Sequence, residues 1–417
     1  MYVTPHPLDS IRPKVLIVED SLMMLKRLTK LLHEAGFDPI TAMSLHEVQQ
    51  ILLHNYQFFA AVADYCLPDA IEGEILPLLI DANIPTLALT AHSDISIRDK
   101  ILALSVVDYV PKDSPAALEY VVRMLNRLQK NPNIGVLIVD DAALMRNYLR
   151  HLLERQHYQV FEANSAQAGL NVLLQERSIR LVLTDQDMPG MDGMRFASEI
   201  RRRYGNNRLS IIGISGLTNP VISARFIKAG ADDFMHKPFS PEEFFCRITR
   251  NIEFIENVQA LEHAANRDPL TNLSNRRHFL DQMARVKGEY CVAISDIDFF
   301  KQVNDTYGHD IGDVAIQFVG QLLQEHFPDG LTARFGGEEF VTAIANGNIS
   351  DFVSRLNDVR QQLMHRPVTT PQGELRLNIS IGVSAVTKHS LTATLKQADE
   401  ALYLAKQQGR NQVQLAG

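Results

Sequence analysis

Acidic residues in the last third of the sequence stand where paired strands would bring them together. Asp296 ends an apolar run, and Glu338 and Glu339 directly follow two adjacent glycines, Gly336 and Gly337. Adjacent glycines between strand-like runs predict a two-residue hairpin turn, because glycine tolerates the positive φ angles that such turns require. Neighbouring carboxylates repel one another unless a cation holds them, and Mg²⁺ prefers oxygen ligands. If the run that ends at Asp296 pairs with this hairpin, the three acids form a magnesium–nucleotide site.

Five motifs in order favour this interpretation over the alternative that the acids are solvated charges at a strand edge. They are RDPLT (267–271), NRR (275–277), DIDFFKQVNDTYGHDIGD (296–313), RFGGEEF (334–340) and a closing segment (398–411). Together they make the chain from about residue 261 onward resemble the GGDEF domain of diguanylate cyclases, in its GGEEF form. The resemblance implies an α+β, palm-like nucleotidyl-cyclase domain at residues 266–417. It also implies that two GTP molecules, one per domain of a homodimer, are joined into cyclic di-GMP with release of two pyrophosphates.

Within this resemblance, the acid cluster takes the catalytic and metal-binding roles. Asp296, the carbonyl of Ile297 and Glu338 are the implied ligands for one or two Mg²⁺ ions. Glu338, or a metal-bound hydroxide beside it, is a candidate for removing the ribose proton. Glu339 supports the same cluster, and the sequence leaves the identity of the base open. The implied substrate-binding residues are Asn304 and Asp313 for guanine and Phe299, Phe300, Lys301, Lys406 and Arg410 for the phosphates.

One family feature is missing. Many GGDEF domains carry an Arg-x-x-Asp pair that binds the product and inhibits the enzyme, and Phe327 and Gly330 stand at the corresponding positions here. His326 and Asp329 are shifted by one residue and lack a guanidinium group. We therefore expect product inhibition through that site to be weak or absent.

Residues 14–130 show apolar runs that alternate with helical patterns, which predicts a doubly wound parallel sheet of flavodoxin-like topology. Glu19 and Asp20 follow the first run and Asp64 ends another, so these acids should meet at the carboxyl edge of the sheet. Three acids there can hold one Mg²⁺, with Asp64 as the nucleophile toward a phosphoryl group. The pattern resembles a response-regulator receiver domain. The residues that would sense or balance the phosphoryl charge are Thr90, Tyr109 and Lys112.

This first domain departs from the receiver pattern in two places. Asp113 follows Lys112 where receivers usually carry proline, and the loop at 66–70 lacks the usual glycine. A degenerate receiver that serves only dimer contacts therefore stays open as an alternative.

The same order of elements recurs at residues 134–250, where the match to the receiver pattern is closer. Asp140 and Asp141 follow one apolar run and Asp185 ends another, which predicts a second site for one Mg²⁺. We expect Asp185 to be the stronger phosphorylation site, with a sensor histidine kinase or a phosphotransfer protein as the donor. The segment between the two domains is too short for a flexible tether, so they should be closely coupled. The corresponding switch residues are Ser215, Phe234 and Lys237.

A helix from Pro241 to about Ala265 is predicted to connect these domains to the GGDEF-like domain, with residues 251–265 as a helical signalling linker. Four apolar residues on this helix keep a 3-4-3 spacing, which suits a short coiled-coil seam in a dimer. They are Phe245, Ile248, Ile252 and Ile255, and Val258 and Leu261 continue an apolar stripe in a slipped register. We expect Phe244 to Ile248 to pack on the sheet of their own domain. The helix beyond about Asn251 has no sheet left to cover and is expected to pair with its twin in a dimer.

Composition limits the partners and the compartment. The chain of 417 residues carries 41 basic and 49 acidic residues, a net charge of −8 that argues against nucleic-acid and anionic-membrane surfaces. The polar segment 1–13 and the lack of a long apolar run predict neither a secretion signal nor a membrane span. Three widely separated cysteines fit a reduced, cytoplasmic protein.

The leading hypothesis is a phosphorylation-regulated diguanylate cyclase with two receiver domains. A catalytically silent GGDEF module that only senses GTP or cyclic di-GMP is one alternative. A phosphorelay or scaffold protein that acts by binding partners is another. Incubation with GTP and Mg²⁺ distinguishes the three.

Overall fold

The computed structural model of the chain describes residues 12–54, 56–91, 95–113, 116–216, 221–370, 373–385 and 390–417. Most of the polar segment 1–13 lies outside these ranges. The chain divides into two compact units, Met1–Val258 and Gln259–Gly417. Within the described ranges, no helix combines the length and the apolar character needed to cross a membrane.

The first unit begins with a five-stranded parallel sheet in the order β2-β1-β3-β4-β5. This order and the helices on both faces are those of a doubly wound, flavodoxin-like domain. Alternate residues of the first strand enter two separate cores, Val15 and Ile17 in one and Leu16 and Val18 in the other. The strands are β1 (Lys14–Val18), β2 (Asp38–Ala42), β3 (Ala60–Asp64), β4 (Thr86–Thr90) and β5 (Asp108–Pro111). The helices are α1 (Leu22–Glu34), α2 (Leu45–Leu52), α3 (Ile75–Asp81), α4 (Ile95–Ala103) and α5 (Ala117–Lys130).

A second parallel sheet follows after a single turn of 3₁₀ helix at Asn131–Asn133. Its order, β10-β9-β8-β6-β7, repeats the topology of the first sheet. The predicted flavodoxin-like parallel sheets are therefore confirmed. The strands are β6 (Gly135–Val139), β7 (Gln159–Ala163), β8 (Ile179–Asp185), β9 (Ser210–Ser215) and β10 (Asp233–His236). The helices are α6 (Ala143–Arg155), α7 (Ala166–Gln175), α8 (Gly193–Arg203), α9 (Val221–Lys228) and α10 (Pro241–Asn266).

The long helix α10 has the predicted length and its first part packs on the second sheet as expected, but the prediction that Ile252 and Ile255 form an outward dimer seam is wrong. The four seam residues, Phe245, Ile248, Ile252 and Ile255, are all buried within the chain. The first three belong to the core of the second sheet or contact it. Further along, Glu253 and Glu256 form ion pairs with Arg123 and Arg127 of α5. These ion pairs place α5, which is distant in sequence, against the part of α10 that follows the residues packed on the second sheet.

The second unit is built on a six-stranded mixed sheet in the order β11-β13-β14-β12-β17-β18. Each of its four central strands runs antiparallel to the next one. The strands are β11 (Ser274–Asn275), β12 (Tyr290–Ile297), β13 (Leu331–Gly336), β14 (Glu339–Ala345), β17 (Ile379–Ala385) and β18 (Val413–Leu415), with a separate hairpin of β15 (Val368–Thr370) and β16 (Gly373–Leu375). The helices are α11 (Arg276–Met283), α12 (Phe300–Tyr307), α13 (His309–His326), α14 (Ile349–His365) and α15 (Leu391–Gln407).

Two cores cover the two faces of this sheet. Ala293 and Phe340 point toward the core that includes α12, α13 and α14. Val292 and Val341 point toward the core that includes α11 and α15. Side chains alternate along a strand, so Asp296, four residues after Val292, faces α15. Glu339, two residues before Val341, faces the same helix.

Candidate functional site

The predicted acid cluster lies at the end of the central strands of the mixed sheet. β12 and β14 are antiparallel neighbours, and Asp296 stands directly opposite Glu339 in their register. The turn between β13 and β14 consists of Gly337 and Glu338, one residue later than the sequence predicted. The φ angles of 151° at Gly336 and 52° at Gly337 explain why glycine occupies both positions. The register is irregular just before Gly336, and this bulge displaces the turn by one residue.

Arg334 holds this turn in place from within β13. Its Nε donates to the carbonyl of Gly337 at 2.9 Å, and its Nη1 lies 3.1 Å from Asp268 Oδ1. Burial favours the neutral form of Asp268, but hydrogen bonds from Thr271 and Arg334 outweigh it and lower the pKa of the carboxyl. An ionised Asp268 therefore anchors the guanidinium, and the guanidinium fixes the turn that carries Glu338.

Lys406 supplies a cation to the acid cluster from the last turn of α15. Its Nζ lies 2.8 Å from Asp296 Oδ2. Burial raises the pKa of the Asp296 carboxyl; Lys406 opposes this shift, and the charges of Glu338 and Glu339 add to it. Both glutamates therefore lie within electrostatic reach of Asp296. These acids and the lysine, from three separate motifs, therefore lie at the same end of the sheet, although the three carboxylates do not all approach within 4.8 Å of one another.

The start of α12 follows directly after the strand that carries Asp296. Phe299 adopts a left-handed backbone with φ of 57°, which turns the chain from β12 into α12. The side chain of Phe300 is buried, so this residue can offer a ligand only its backbone, whereas Lys301 is exposed. The Arg410 guanidinium lies over the Phe299 ring, 4.5 Å from its centroid. Free N–H groups at a helix start beside basic side chains suit a phosphate group.

Asp298, which has no predicted role, fixes the loop that carries Arg410. Its buried carboxylate accepts hydrogen bonds from Ser380 Oγ at 2.7 Å and from the backbone N–H of Asn411 at 2.9 Å. The sequence does contain a signal for this role. Asp298 is the second acid of the motif that starts at Asp296, and a buried carboxylate at a strand end requires hydrogen-bond donors.

The two residues predicted to bind guanine lie on neighbouring helices. The Oδ1 atom of Asn304, in α12, is buried and has no hydrogen-bond partner among the described residues. A Cβ on Gly312 would lie 1.9 Å from that oxygen, so the bare glycine leaves the room that the amide occupies. Asp313, next to this glycine in α13, is exposed. A buried acceptor without a partner fits a ligand that donates hydrogen bonds.

In the second sheet, a lysine lies between two of the predicted acids. Lys237 Nζ lies 2.6 Å from Asp185 Oδ1 and 3.1 Å from Asp140 Oδ2. Burial lowers the pKa of Lys237, but its hydrogen bonds and the charges of Asp185 and Asp140 prevail and raise it overall. Burial also raises the pKa of Asp140. Asp141, the next residue after Asp140, is exposed.

The first sheet carries the same arrangement, with Glu19 in place of the first aspartate. Lys112 Nζ lies 2.6 Å from Asp64 Oδ2 and 2.7 Å from Glu19 Oε2. Burial raises the pKa of Glu19. The side-chain oxygens of Glu19, Asp20 and Asp64 lie within 4.8 Å of one another. Across the described ranges, this is the one group of three such residues that close together, and its donor set suits a hard divalent cation.

The predicted switch residues stand beside these acids in both sheets. The backbone N–H of Lys112 donates to the carbonyl of Thr90, and that of Lys237 donates to the carbonyl of Ser215, each at 2.8 Å. The lysine and the hydroxyl residue therefore come from neighbouring strand ends. Tyr109 and Phe234, the aromatic members, are buried in this structure.

A guanidinium group lies near His326 and Asp329, although the sequence between them contains no arginine. Arg355, from α14, pairs with Asp329 at 2.5 Å, and its Nε donates to the carbonyl of His326 at 2.9 Å. Its guanidinium also lies 4.5 Å from the centroid of the Phe327 ring. Asp329 and the His326 carbonyl already bind Arg355 within the chain. Weak product inhibition at this site therefore stays a prediction.

Fold and sites together define a multidomain response regulator, with doubly wound domains that present an acid–lysine pocket joined to a separate mixed-sheet domain. Residues 136–249 match the family model for the response regulator receiver domain, and residues 265–412 match that for the diguanylate cyclase GGDEF domain. A crystal structure of a two-component system response regulator/GGDEF domain protein is 38% identical, with a TM-score of 0.54, and the match covers 59% of this chain and 100% of that one. The chain therefore belongs to the response regulators that carry a GGDEF domain.

Curated relatives point the same way. Response regulator PleD of Caulobacter vibrioides is 32% identical over 302 residues, which cover 67% of this chain and 65% of that protein. Diguanylate cyclase A of Treponema denticola is 31% identical over 175 residues, 39% of this chain and 47% of that protein. The chain thus matches less than two thirds of the length of these relatives.

Proposed function

We propose that this chain is a phosphorylation-regulated diguanylate cyclase that condenses two GTP molecules into cyclic di-GMP and two pyrophosphates. The observation that carries the proposal is the cluster of Asp296, Glu338, Glu339 and Lys406 within a domain that matches the GGDEF family. The unpartnered Oδ1 of Asn304 supports the choice of a guanine nucleotide, because guanine donates hydrogen bonds from N1 and N2.

The proposed reaction forms two phosphodiester bonds. In each, the 3′-oxygen of one GTP bonds to the α-phosphorus of the other, and the bond from that phosphorus to the oxygen bridging to the β-phosphate breaks. Pyrophosphate leaves with the electron pair, and the hydroxyl proton passes to a base at the acid cluster, for which Glu338 is the candidate. Lys301, Lys406 and Arg410 balance the charge of the phosphates.

Asp296, the Ile297 carbonyl and Glu338 would hold one or two Mg²⁺ ions in this domain, because they offer hard oxygen ligands and the backbone N–H of Ile297 lies 3.4 Å from the Glu338 carbonyl. A bound divalent cation would neutralise charge on the reacting phosphates. The chain's own part is to hold the acids ionised and together: Lys406 does so through its contact with Asp296, and Arg334 through the turn that carries Glu338.

We further propose that residues 14–130 form a receiver domain like residues 134–250, that residues 251–265 transmit the signal, and that residues 266–417 form the cyclase. The identical strand order of the two parallel sheets supports a tandem pair. The three close acids beside Lys112 argue for a competent pocket in the first domain over a degenerate one. Each pocket would hold one Mg²⁺, with Asp64 or Asp185 as the acceptor of a phosphoryl group from a histidine kinase or phosphotransfer protein.

A homodimer follows from the reaction, since each domain holds one GTP. An exposed apolar stripe on α10 supports this homodimer, whereas the residues with 3-4-3 spacing are buried within the chain. Phe254 and Leu261 are 54% and 70% exposed, and Val258 between them is half-buried. Their 4-3 spacing is that of a coiled-coil seam.

Purified protein incubated with GTP and Mg²⁺ should release cyclic di-GMP and pyrophosphate in a ratio of one to two, resolved by chromatography. Beryllofluoride, a phosphoryl mimic, should change the rate. Bound GTP without turnover would favour the silent sensor module, and neither binding nor turnover would favour a scaffold.

A further inference from the structure

A cavity of about 430 Å³ opens beside the acid cluster on the face of the sheet that α15 covers. Glu339 contributes from β14 and Lys406 from the last turn of α15. We call this cavity the α15 groove. The remaining lining residues come from α15: Asp399, Glu400, Leu402, Tyr403 and Leu404.

Tyr403 is the largest exposed side chain of the α15 groove. It is 62% exposed, and it lies four residues after Asp399 and three before Lys406, so the three side chains share one helix face. Glu400 precedes it by three residues and is also exposed. An aromatic ring offers a stacking face to a base, and carboxylates accept hydrogen bonds from guanine N1 and N2 or from ribose hydroxyls. The chemistry of the groove thus fits a guanosine.

The guanosine in the groove cannot be the one whose base Asn304 binds. Asn304 belongs to α12, whose Phe300 and Val303 pack in the core on one face of the sheet. The α15 groove lies on the other face, where Ala398 and Leu402 pack. The two faces of the sheet meet at the end of the central strands, where the acid cluster lies.

We propose that the α15 groove receives the guanosine part of the GTP carried by a second copy of this chain, with Tyr403 stacked on its base. The inference rests on the proposed function, which requires the 3′-hydroxyl of a second GTP to reach the α-phosphorus held at the acid cluster. A groove that adjoins Glu339 and Lys406 and presents an aromatic ring is placed for that nucleoside. Tyr403 is then a binding residue for the second substrate only.

The test compares Tyr403→Ala and Tyr403→Phe with the parent chain. A matched control is Gln407→Ala, an exposed position on the same helix outside the groove. Two quantities are measured: the Kd of a non-hydrolysable GTP analogue on dilute, monomeric protein, and kcat for cyclic di-GMP at saturating GTP. Base–aromatic stacking is typically strong enough that its loss lowers kcat about ten- to a hundred-fold.

We expect Tyr403→Ala to lose turnover by that factor and to keep the analogue Kd within about two-fold, while Tyr403→Phe and Gln407→Ala match the parent. Full turnover in Tyr403→Ala overturns the inference and leaves the cyclase proposal standing. A weakened analogue Kd in Tyr403→Ala also overturns it, because Tyr403 would then bind the chain's own nucleotide. If the parent chain makes no cyclic di-GMP under conditions where it binds the analogue, the proposed function fails and this inference fails with it.

Discussion

Replacing Gly312 by alanine should weaken GTP binding through Asn304 without damaging the fold. The new Cβ would lie 1.9 Å from Asn304 Oδ1 and 3.2 Å from Phe300 Cζ. Ordinary contact begins near 3.4 Å, so the amide oxygen must retreat by 1.5 Å (3.4 minus 1.9). A displacement of that size removes a hydrogen bond to the base. Leaving such a group unpaired costs about 1–3 kcal/mol, which predicts a rise in the KM for GTP of about five- to 150-fold.

The fold should tolerate the same change, because alanine is favoured over glycine inside a helix by about 1 kcal/mol. Gly312 lies in the first turns of α13 and has ordinary helical φ, so no left-handed conformation is lost. The expected signature is therefore a higher KM with unfolding free energy unchanged or slightly raised. Gly320→Ala is the matched control on the same helix, since the nearest atoms to its Cβ would be Leu273 Cδ1 at 3.1 Å, the Phe340 ring at 3.3 Å and Thr271 Cβ at 3.5 Å, none as close as Asn304 Oδ1 is at Gly312.

Steady-state kinetics and denaturant titration of four proteins complete the test: the parent, Gly312→Ala, Asn304→Ala and the double variant. If the alanine acts by displacing Asn304, it should add nothing once that amide is gone, so the double variant should match Asn304→Ala. Additive effects, or a parent-like KM in Gly312→Ala, would refute the assignment of Asn304 as the guanine contact.

Three further outcomes are expected. Glu338→Ala should abolish cyclic di-GMP formation with Tm within a few degrees of the parent; retained turnover would mean that the acid cluster is misassigned. Asp185→Asn should uncouple the rate from beryllofluoride more than Asp64→Asn does, and the opposite ranking would make the first domain the main input. Burial raises the pKa of Asp108 to about 6 from 3.8. Its contribution to stability is therefore full below about pH 4 and is lost as pH rises through 6. Relative to Asp108→Asn, the unfolding free energy should fall by about 3 kcal/mol across that window in denaturant titrations, and a flat difference would contradict the burial of that carboxyl.

Sequence reasoning succeeded where the signals were local. The apolar run that ends at Asp296 and the two glycines before Glu338 are each patterns of only a few residues. Each pattern could therefore be recognised without knowing the fold, and together they predicted the pairing of β12 with β14. It failed where distant residues decide the outcome. Arg127 and Glu256, which cover the end of α10, are separated by 129 positions, and Arg98 and Glu242 by 144. No periodicity within α10 could report which of its faces a helix so far away would cover.

The apolar stripe on α10 is a second case in which distant residues decide the outcome. A 3-4-3 spacing states that one face is apolar, but it does not identify the surface that buries it. In the folded chain, Ile252 and Ile255 are covered internally, and the outward residues Phe254 and Leu261 stay exposed. Placing the seam required knowing the position of α5.

A common electrostatic arrangement links the three sites more closely than their folds do. In each, acids from strand ends are partly removed from water, which raises the pKa of Glu19, Asp140 and Asp296 and opposes their ionisation. In each, a lysine from another element, Lys112, Lys237 or Lys406, touches one of the acids within 3 Å. The lysine lowers the pKa of these acids and so favours their charged form against the effect of burial. When a phosphoryl group binds in such a pocket, the cation is already in position. Its charge therefore needs no further reorganisation during the reaction. Removing the lysine should for that reason impair all three sites in the same way, by favouring protonated acids.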